Sequence, residues 1–119
     1  MANHNAFGKL GEQKAVDFLR ASGYAVVARN YRYLSAEIDI IAQKDNVLAI
    51  VEVKSRNSGF LGDVSDMISP KKIKLLTMAA NHFVEESDMD FEVRFDVVTV
   101  VKNGNDLKID HLKNAFYHF

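Results

Sequence analysis

Cysteine is absent from the 119 residues, which excludes disulfides and thiolate metal ligands and fits a reducing compartment. Proline is reduced to Pro70 and the six glycines are scattered, so there is no linker, low-complexity tract or internal repeat. Neither sign of charge dominates: fifteen Lys plus Arg stand against sixteen Asp plus Glu, a net charge of −1. Whole-chain electrostatics therefore argue neither for nor against a nucleic-acid partner, and any basic footprint has to be local. The leading segment MANHNAFGKLGEQK has no apolar h-region, and no apolar run approaches the ~18 residues that span a bilayer. The expectation is a soluble, cytoplasmic protein with no membrane partner. Its length predicts a single domain, 1–119, with a core flanked by two layers.

One stretch carries the pattern that organises the rest: Ala36 to Arg56, AEIDIIAQKDNVLAIVEVKSR. Two β-forming runs, Glu37 to Gln43 and Val47 to Lys54, flank a polar turn at Lys44, Asp45 and Asn46. If Asp45 and Asn46 form the loop, Lys44 faces Val47. Counting outward then sets Asp39 opposite Glu52 and Glu37 opposite Lys54, all on one face. Nearer the turn that face carries Ile41 with Ile50 and Gln43 with Leu48. The other carries Ile38, Ile40, Ala42, Val47, Ala49, Val51 and Val53. Both faces are largely apolar, as in a sheet covered on both sides, and the charges gather at the end away from the turn. Opposed residues have Cβ atoms ~5 Å apart, so Asp39 beside Glu52 is repulsive unless a cation sits between them. Mg²⁺ or Mn²⁺ suits such a pair, because Mg²⁺ commonly uses one or two carboxylates and keeps several waters. Lys54 points the same way and places an ammonium beside whatever the metal binds. A hairpin with one solvated face uses the same residues, and a three-residue loop would send Asp39 and Glu52 to opposite faces.

Around this hairpin, Asn5 to Ser22 predicts a helix with Phe7, Leu10, Gly11, Ala15, Phe18 and Leu19 on its apolar stripe and Gly23 ending it. Glu12 lies beside that stripe, next to Gly11, whose missing side chain permits close approach to another element; spacing alone favours an ordinary surface residue. Tyr24 to Tyr33 predicts a strand in which Arg29, Tyr31, Arg32 and Tyr33 interleave basic and aromatic groups, as in nucleic-acid grips and in ordinary exposed strands. Ser55 to Ser69 has no clean period and is expected to overhang the charged end of the sheet. Ser69 and Pro70 open a helix to about Val84, buried through Ile73, Leu76, Ala80 and Phe83 or Val84. Lys71, Lys72 and Lys74 crowd its first turn against the helix dipole, a placement suited to attracting an anion, though a solvated face is the commoner use. Phe91 to Val101 predicts a strand with Phe91, Val93, Phe95 and Val97 on one face and Glu92, Arg94, Asp96, Val98 and Val100 on the other. Arg94 with Asp96 fits either a structural pair or a substrate wall. Asn103 and Gly104 signal a turn into a return strand, Asp106 to Leu112, and the aromatic tail Asn114 to Phe119 requires docking on the core or on a second subunit. The histidines at 4, 82, 111 and 118 show no metal-ligand spacing and are expected to be structural or exposed.

GKLGEQKA in the first helix, AEIDII and VEVKSR in the hairpin, RFDVV in the late strand and HLKNAF near the end run in order over nearly the whole chain. Together they resemble the YraN-like family of small predicted endonucleases. That family is similar to the restriction-endonuclease-like superfamily, notably the archaeal Holliday-junction resolvases. The resemblance implies a three-layer α/β/α core with a central mixed sheet, presenting an acidic residue and then an acidic-x-Lys triplet to one or two Mg²⁺ or Mn²⁺ ions. Carried over by position, Asp39 and Glu52 would be metal ligands and Lys54 would orient or activate the attacking water. The family's Gly-Glu pair falls on Gly11 and Glu12, so Glu12 would complete the metal shell or position a water. Ala36 stands where the family usually has glycine.

The function expected is metal-dependent hydrolysis of a phosphodiester in nucleic acid, DNA before RNA, with branched DNA in view. Arg56, Lys71 and Lys72 would grip phosphate, with Arg29 and Arg32 as a second patch. Two other classes remain open: a nucleic-acid-binding or assembly module that cleaves little or nothing, and an interaction domain whose charged end is a structural ion-pair cluster. A homodimer is compatible with the aromatic tail and with the paired sites of the resolvases.

Overall fold

The computed structural model describes residues 2–57 and 68–116, with side chains from residue 6 onward. Its elements are α1 (Ala2–Ala21), β1 (Ala25–Tyr33), β2 (Ala36–Lys44), β3 (Val47–Asn57), α2 (Pro70–Ser87), β4 (Glu92–Asn103) and β5 (Asp106–Leu112). The strands form one mixed sheet in the order β1-β2-β3-β4-β5, with only β3 and β4 parallel. Three two-residue turns explain the antiparallel pairs: Leu34–Ser35, Asp45–Asn46 and Gly104–Asn105. The parallel pair needs a crossover, and α2 supplies it.

The sheet is covered on both faces, the expected α/β/α arrangement. Ala15, Val16 and Leu19 of α1 pack on Ile40, Ala42, Ala49, Val51, Val98 and Val100. On the other face Leu76, Ala79 and Ala80 of α2 meet Ile41, Leu48, Ile50, Phe95 and Val97. The chain thus buries β-branched residues on alternate sides of the central strands, which is why those strands lack a polar face.

Helix boundaries follow from local chemistry. α1 ends in a Schellman turn: Tyr24 N–H donates to Leu19 C=O and Gly23 N–H to Arg20 C=O, with Gly23 at φ 94° as the left-handed residue. The Ser69 hydroxyl accepts from Lys72 N–H at 3.1 Å to cap α2, and Pro70 occupies its first turn. α2 runs past Val84 to Ser87, because Asp88 takes the left-handed conformation (φ 53°) in place of a glycine.

Several expectations need correction. Leu10 is half-exposed and Val16 takes its place in the core, so the buried stripe of α1 is rotated from the predicted one. β3 continues through Ser55 and Arg56 to Asn57, each held by pairing with β4; residues 58–67 of the expected irregular segment lie outside the described residues. The tail docks on the chain's own core through Ala115 and Phe116, the Phe116 ring lying 5.4 Å from that of Phe95, while residues 117–119 lie outside the described residues.

Candidate functional site

The β2–β3 hairpin closes as the sequence implies: Lys44 opposes Val47, and the register runs outward through Gln43–Leu48, Ala42–Ala49 and Ile41–Ile50 to Ile40–Val51. There the ladder stops. The next residue outward, Asp39, is not paired through its main chain; its Oδ2 instead accepts the Val53 N–H at 2.8 Å. Glu37 therefore does not stand opposite Lys54 as expected. It pairs with Arg32 of β1, 3.0 Å away, because β2 remains bonded to β1 after it has left β3.

The cause of the opening is a kink shared by two strands. Ile38 belongs to the α2 core and Ile40 to the α1 core, although alternation puts residues two apart on one face, so Ile38 is on the opposite face from that predicted. In β1, Ala28 and Tyr31 share the α2 core although three residues apart. Between them Asn30 adopts φ 53°, and pairings of Arg29 with Ile40 and Tyr31 with Ile38 leave Asn30 opposite Asp39. Both strands switch faces at the same rung. Asp39, which uniform alternation would commit to the α2 side, is turned to the junction of the two faces.

From that junction it reaches both sides. On the α2 side its carboxyl comes within hydrogen-bonding range of Glu52. Glu52 is 5 % exposed, and its Oε2 is buried with no hydrogen-bond partner among the described residues. Burial, hydrogen bonding with Asp39 and repulsion from Asp39 push the Glu52 carboxyl up to about 8, against weaker opposing pulls from Lys72 and Lys54. The Lys72 ammonium lies 3.5 Å from Oε2. On the α1 side Asp39 lines a cleft of about 430 Å³ with Glu12, Val53, Ser55, Arg56 and the first turns of α1. α1 seats this closely because position 11 is glycine; a Cβ there would overlap the Ser55 hydroxyl.

Glu12 faces the same cleft but is engaged. Its Oε1 accepts from Arg29 Nη2 at 3.2 Å and from Asn30 Nδ2 at 3.1 Å, while Arg29 also donates to Gln13. Arg29, expected to grip phosphate, thus holds the Glu12 carboxylate in this structure. Arg32 and Lys71 are exposed, Lys72 is turned to Glu52, and Arg56 lines the cleft. Among the described residues no three His, Asp or Glu side chains converge into a metal-binding group. Asp39 and Glu52 do meet, and a buried carboxyl oxygen without a hydrogen bond among the described residues, beside a second carboxyl, is a donor set that a divalent oxygen-seeking cation fits. Asn30 was missed by sequence reasoning; an asparagine within a β-rich run, the residue that best tolerates φ > 0 after glycine, is the signal that could have found it.

Asp96 resolves to the structural alternative. It is fully buried, accepts from Arg94 Nε and Nη2 at 2.9 Å each and from Asn114 N–H at 3.1 Å, and meets His111 Nε2 at 2.8 Å. Arg94 continues to the Tyr24 hydroxyl at 2.6 Å. Burial alone would raise the Asp96 carboxyl, but hydrogen bonds from His111 and Arg94 outweigh it and hold it below the usual range. His111 is therefore structural, one of the two alternatives expected for the histidines; the His4 side chain and His118 lie outside the described residues. His82 is likewise placed by side-chain packing, 2.7 Å from the Tyr31 hydroxyl and stacked on Tyr33. Ala36 has an ordinary negative φ and is buried in the α2 core, so this position does not require glycine. No helix among the described residues is long and apolar enough to cross a membrane.

Residues 11–100 match the model of a family described as "Uncharacterised protein family UPF0102". A UPF0102 protein of Flavobacterium psychrophilum is 49% identical over 119 residues, covering 100% of both chains. A second, from Flavobacterium johnsoniae, is 48% identical over 123 residues with both chains covered in full. A third, from Bacteroides thetaiotaomicron, is 41% identical over 117 residues, covering 98% of this chain and 97% of the relative.

Proposed function

The chain belongs to the UPF0102 family, and we propose that it is a metal-dependent endonuclease that hydrolyses phosphodiester bonds of nucleic acid, with the restriction-endonuclease-like character implied by its motifs. One observation carries the reading: Glu52 is buried against the Asp39 carboxyl, with Oε2 lacking a hydrogen bond among the described residues. Two carboxyls so placed are a poor structural choice without a cation, and Asp39 and Glu52 are the residues that would hold Mg²⁺ or Mn²⁺. A bound divalent ion supplies Lewis acidity, polarising a phosphoryl oxygen and acidifying a water.

The remaining work falls to side chains of the chain. Lys54, close enough to Glu52 to favour its ionised form, supplies positive charge where the attacked phosphate gains negative charge. Glu12, fixed by Arg29 and Asn30, is oriented to position a water in the cleft. Arg56 at the cleft and Lys71 and Lys72 on α2 are the phosphate-binding candidates, and Arg32 offers a further cation on the β1 edge.

A second reading, a nucleic-acid-binding or assembly module with little cleavage, draws on the engagement of Glu12 with Arg29, which leaves only two carboxyls for a metal. Calorimetric titration of Mn²⁺ and Mg²⁺ into wild type and Asp39→Ala, with cleavage of branched and duplex DNA followed on the same samples, separates the two. The endonuclease predicts metal binding and cleavage that both vanish in the variant. Nucleic-acid binding that persists in Asp39→Ala, with no cleavage by wild type, selects the module. A wild type that binds neither ion, even with DNA present, overturns the metal site.

A further inference from the structure

Lys72 sits in the first turn of α2, where a positive charge opposes the helix dipole, and Lys71 and Lys74 in the same region add to the repulsion. A lysine here calls for a local reason. Its ammonium lies 3.5 Å from Glu52 Oε2, yet among the described residues that oxygen has no hydrogen bond, so the contact is one of proximity without a directed bond. The partners are unequally held: Glu52 is 5 % exposed, whereas the Lys72 side chain is 39 % exposed. A long side chain so exposed can swing into solvent without unpacking the core.

Resting on the metal-site reading above, we propose that Lys72 is a placeholder for the divalent ion. It stands against Glu52 Oε2 in the metal-free protein, yields that position when the ion arrives, and then turns to a phosphate of the nucleic acid. The exchange follows from distance and charge. An ion bound directly to a carboxylate oxygen lies at ~2.1 Å, well inside the reach of Lys72, and carries twice its charge. An ammonium kept near the same oxygen would sit a few ångströms from the dication and be repelled. Once released, Lys72 emerges beside exposed Lys71, forming a local cation pair on a chain whose net charge is otherwise near neutral. Metal and nucleic acid then assist each other reciprocally: the ion frees Lys72 for phosphate, and phosphate draws Lys72 away from the ion's ligand.

The test is calorimetric titration of Mn²⁺ into wild type, Lys72→Gln and Lys71→Gln. The last removes the same charge from a neighbouring exposed residue that does not reach Glu52. Removing the competitor is expected to tighten Mn²⁺ binding about tenfold in Lys72→Gln, with a change of no more than about threefold in Lys71→Gln. Fluorescence anisotropy of a phosphorothioate duplex, which resists hydrolysis, supplies a second readout: Mn²⁺ should strengthen binding to wild type and strengthen it less in Lys72→Gln. Wild type that binds Mn²⁺ while Lys72→Gln binds it equally or more weakly overturns the placeholder and leaves the metal site standing. Absence of Mn²⁺ binding in both proteins overturns both.

Discussion

Two buried carboxyls on neighbouring strands, Glu52 of β3 and Asp96 of β4, have opposite fates. Each lies within one rung of the other in the parallel pair, Val51 facing Asp96 and Glu52 facing Val97, but they emerge on opposite faces. Asp96 meets Arg94, His111 and the Asn114 amide, and its ionised form is favoured. Glu52 meets another carboxyl and a loosely placed ammonium, and its ionised form is disfavoured. A fold able to satisfy one buried carboxylate so fully has left the other short of partners. Burial alone is therefore no sign of function; burial with an unmet need for positive charge is.

The largest effect should come from the satisfied member. Asp96→Ala strands a part-buried guanidinium and His111, so urea unfolding should report a loss of about 3–5 kcal/mol. A loss below about 1 kcal/mol would break the contrast, because Asp96 would then not be a structural anchor.

Glu52→Gln should act in the opposite direction. In chelator at neutral pH it replaces a carboxyl whose ionised form the fold disfavours with a neutral amide and should stabilise the fold by about 1–3 kcal/mol, while abolishing any rise in Tm on adding Mn²⁺. Destabilisation in chelator would instead mark the charged end as a structural ion-pair cluster.

The same pair gives opposite pH dependences. Glu52 binds its proton more tightly folded than unfolded, so its contribution is full below the ordinary value of 4.5 and is lost as pH rises through about 8. In chelator, wild type should therefore lose several degrees of Tm relative to Glu52→Gln between those limits. Asp96, held below its ordinary 3.8, contributes above that value and loses its contribution as pH falls through its lowered folded value. Parallel Tm profiles of wild type and Glu52→Gln would erase the distinction. The smallest effect is that of Tyr24→Phe, which removes one hydrogen bond from Arg94 and should cost about 1 kcal/mol in urea unfolding without altering any Mn²⁺-induced rise in Tm.

Much of this was legible in the residues. The Asp45–Asn46 turn sets the register up to Ile40–Val51, and β5 has its predicted bounds because turn chemistry and alternation are local properties. The meeting of Asp39 with Glu52 was also legible, but its route was not. Counting rungs assumes that both strands keep one period, and the left-handed Asn30 ends that period in a run whose composition reads as continuous strand. The error about Glu37 has the same origin, since beyond the kink β2 follows β1 rather than β3. Nor could sequence spacing show that Lys72 reaches Glu52 or that Arg29 holds Glu12; both contacts join elements whose separation in space depends on how each helix docks.

The shared kink also ties the placement of Asp39 to the oil of the interior. Beyond Asn30 and Asp39, the side chains of Tyr31, Tyr33, Ala36 and Ile38 all lie against the α2 core. For Asp39 to relax toward regular pleating, those side chains would have to move together to the opposite side of the sheet and leave apolar surface uncovered. Reversal of the pleat at Asp39 thereby requires a collective rearrangement and not the movement of one residue. The backbone that presents Asp39 is thus held in place by water's exclusion from the layer underneath.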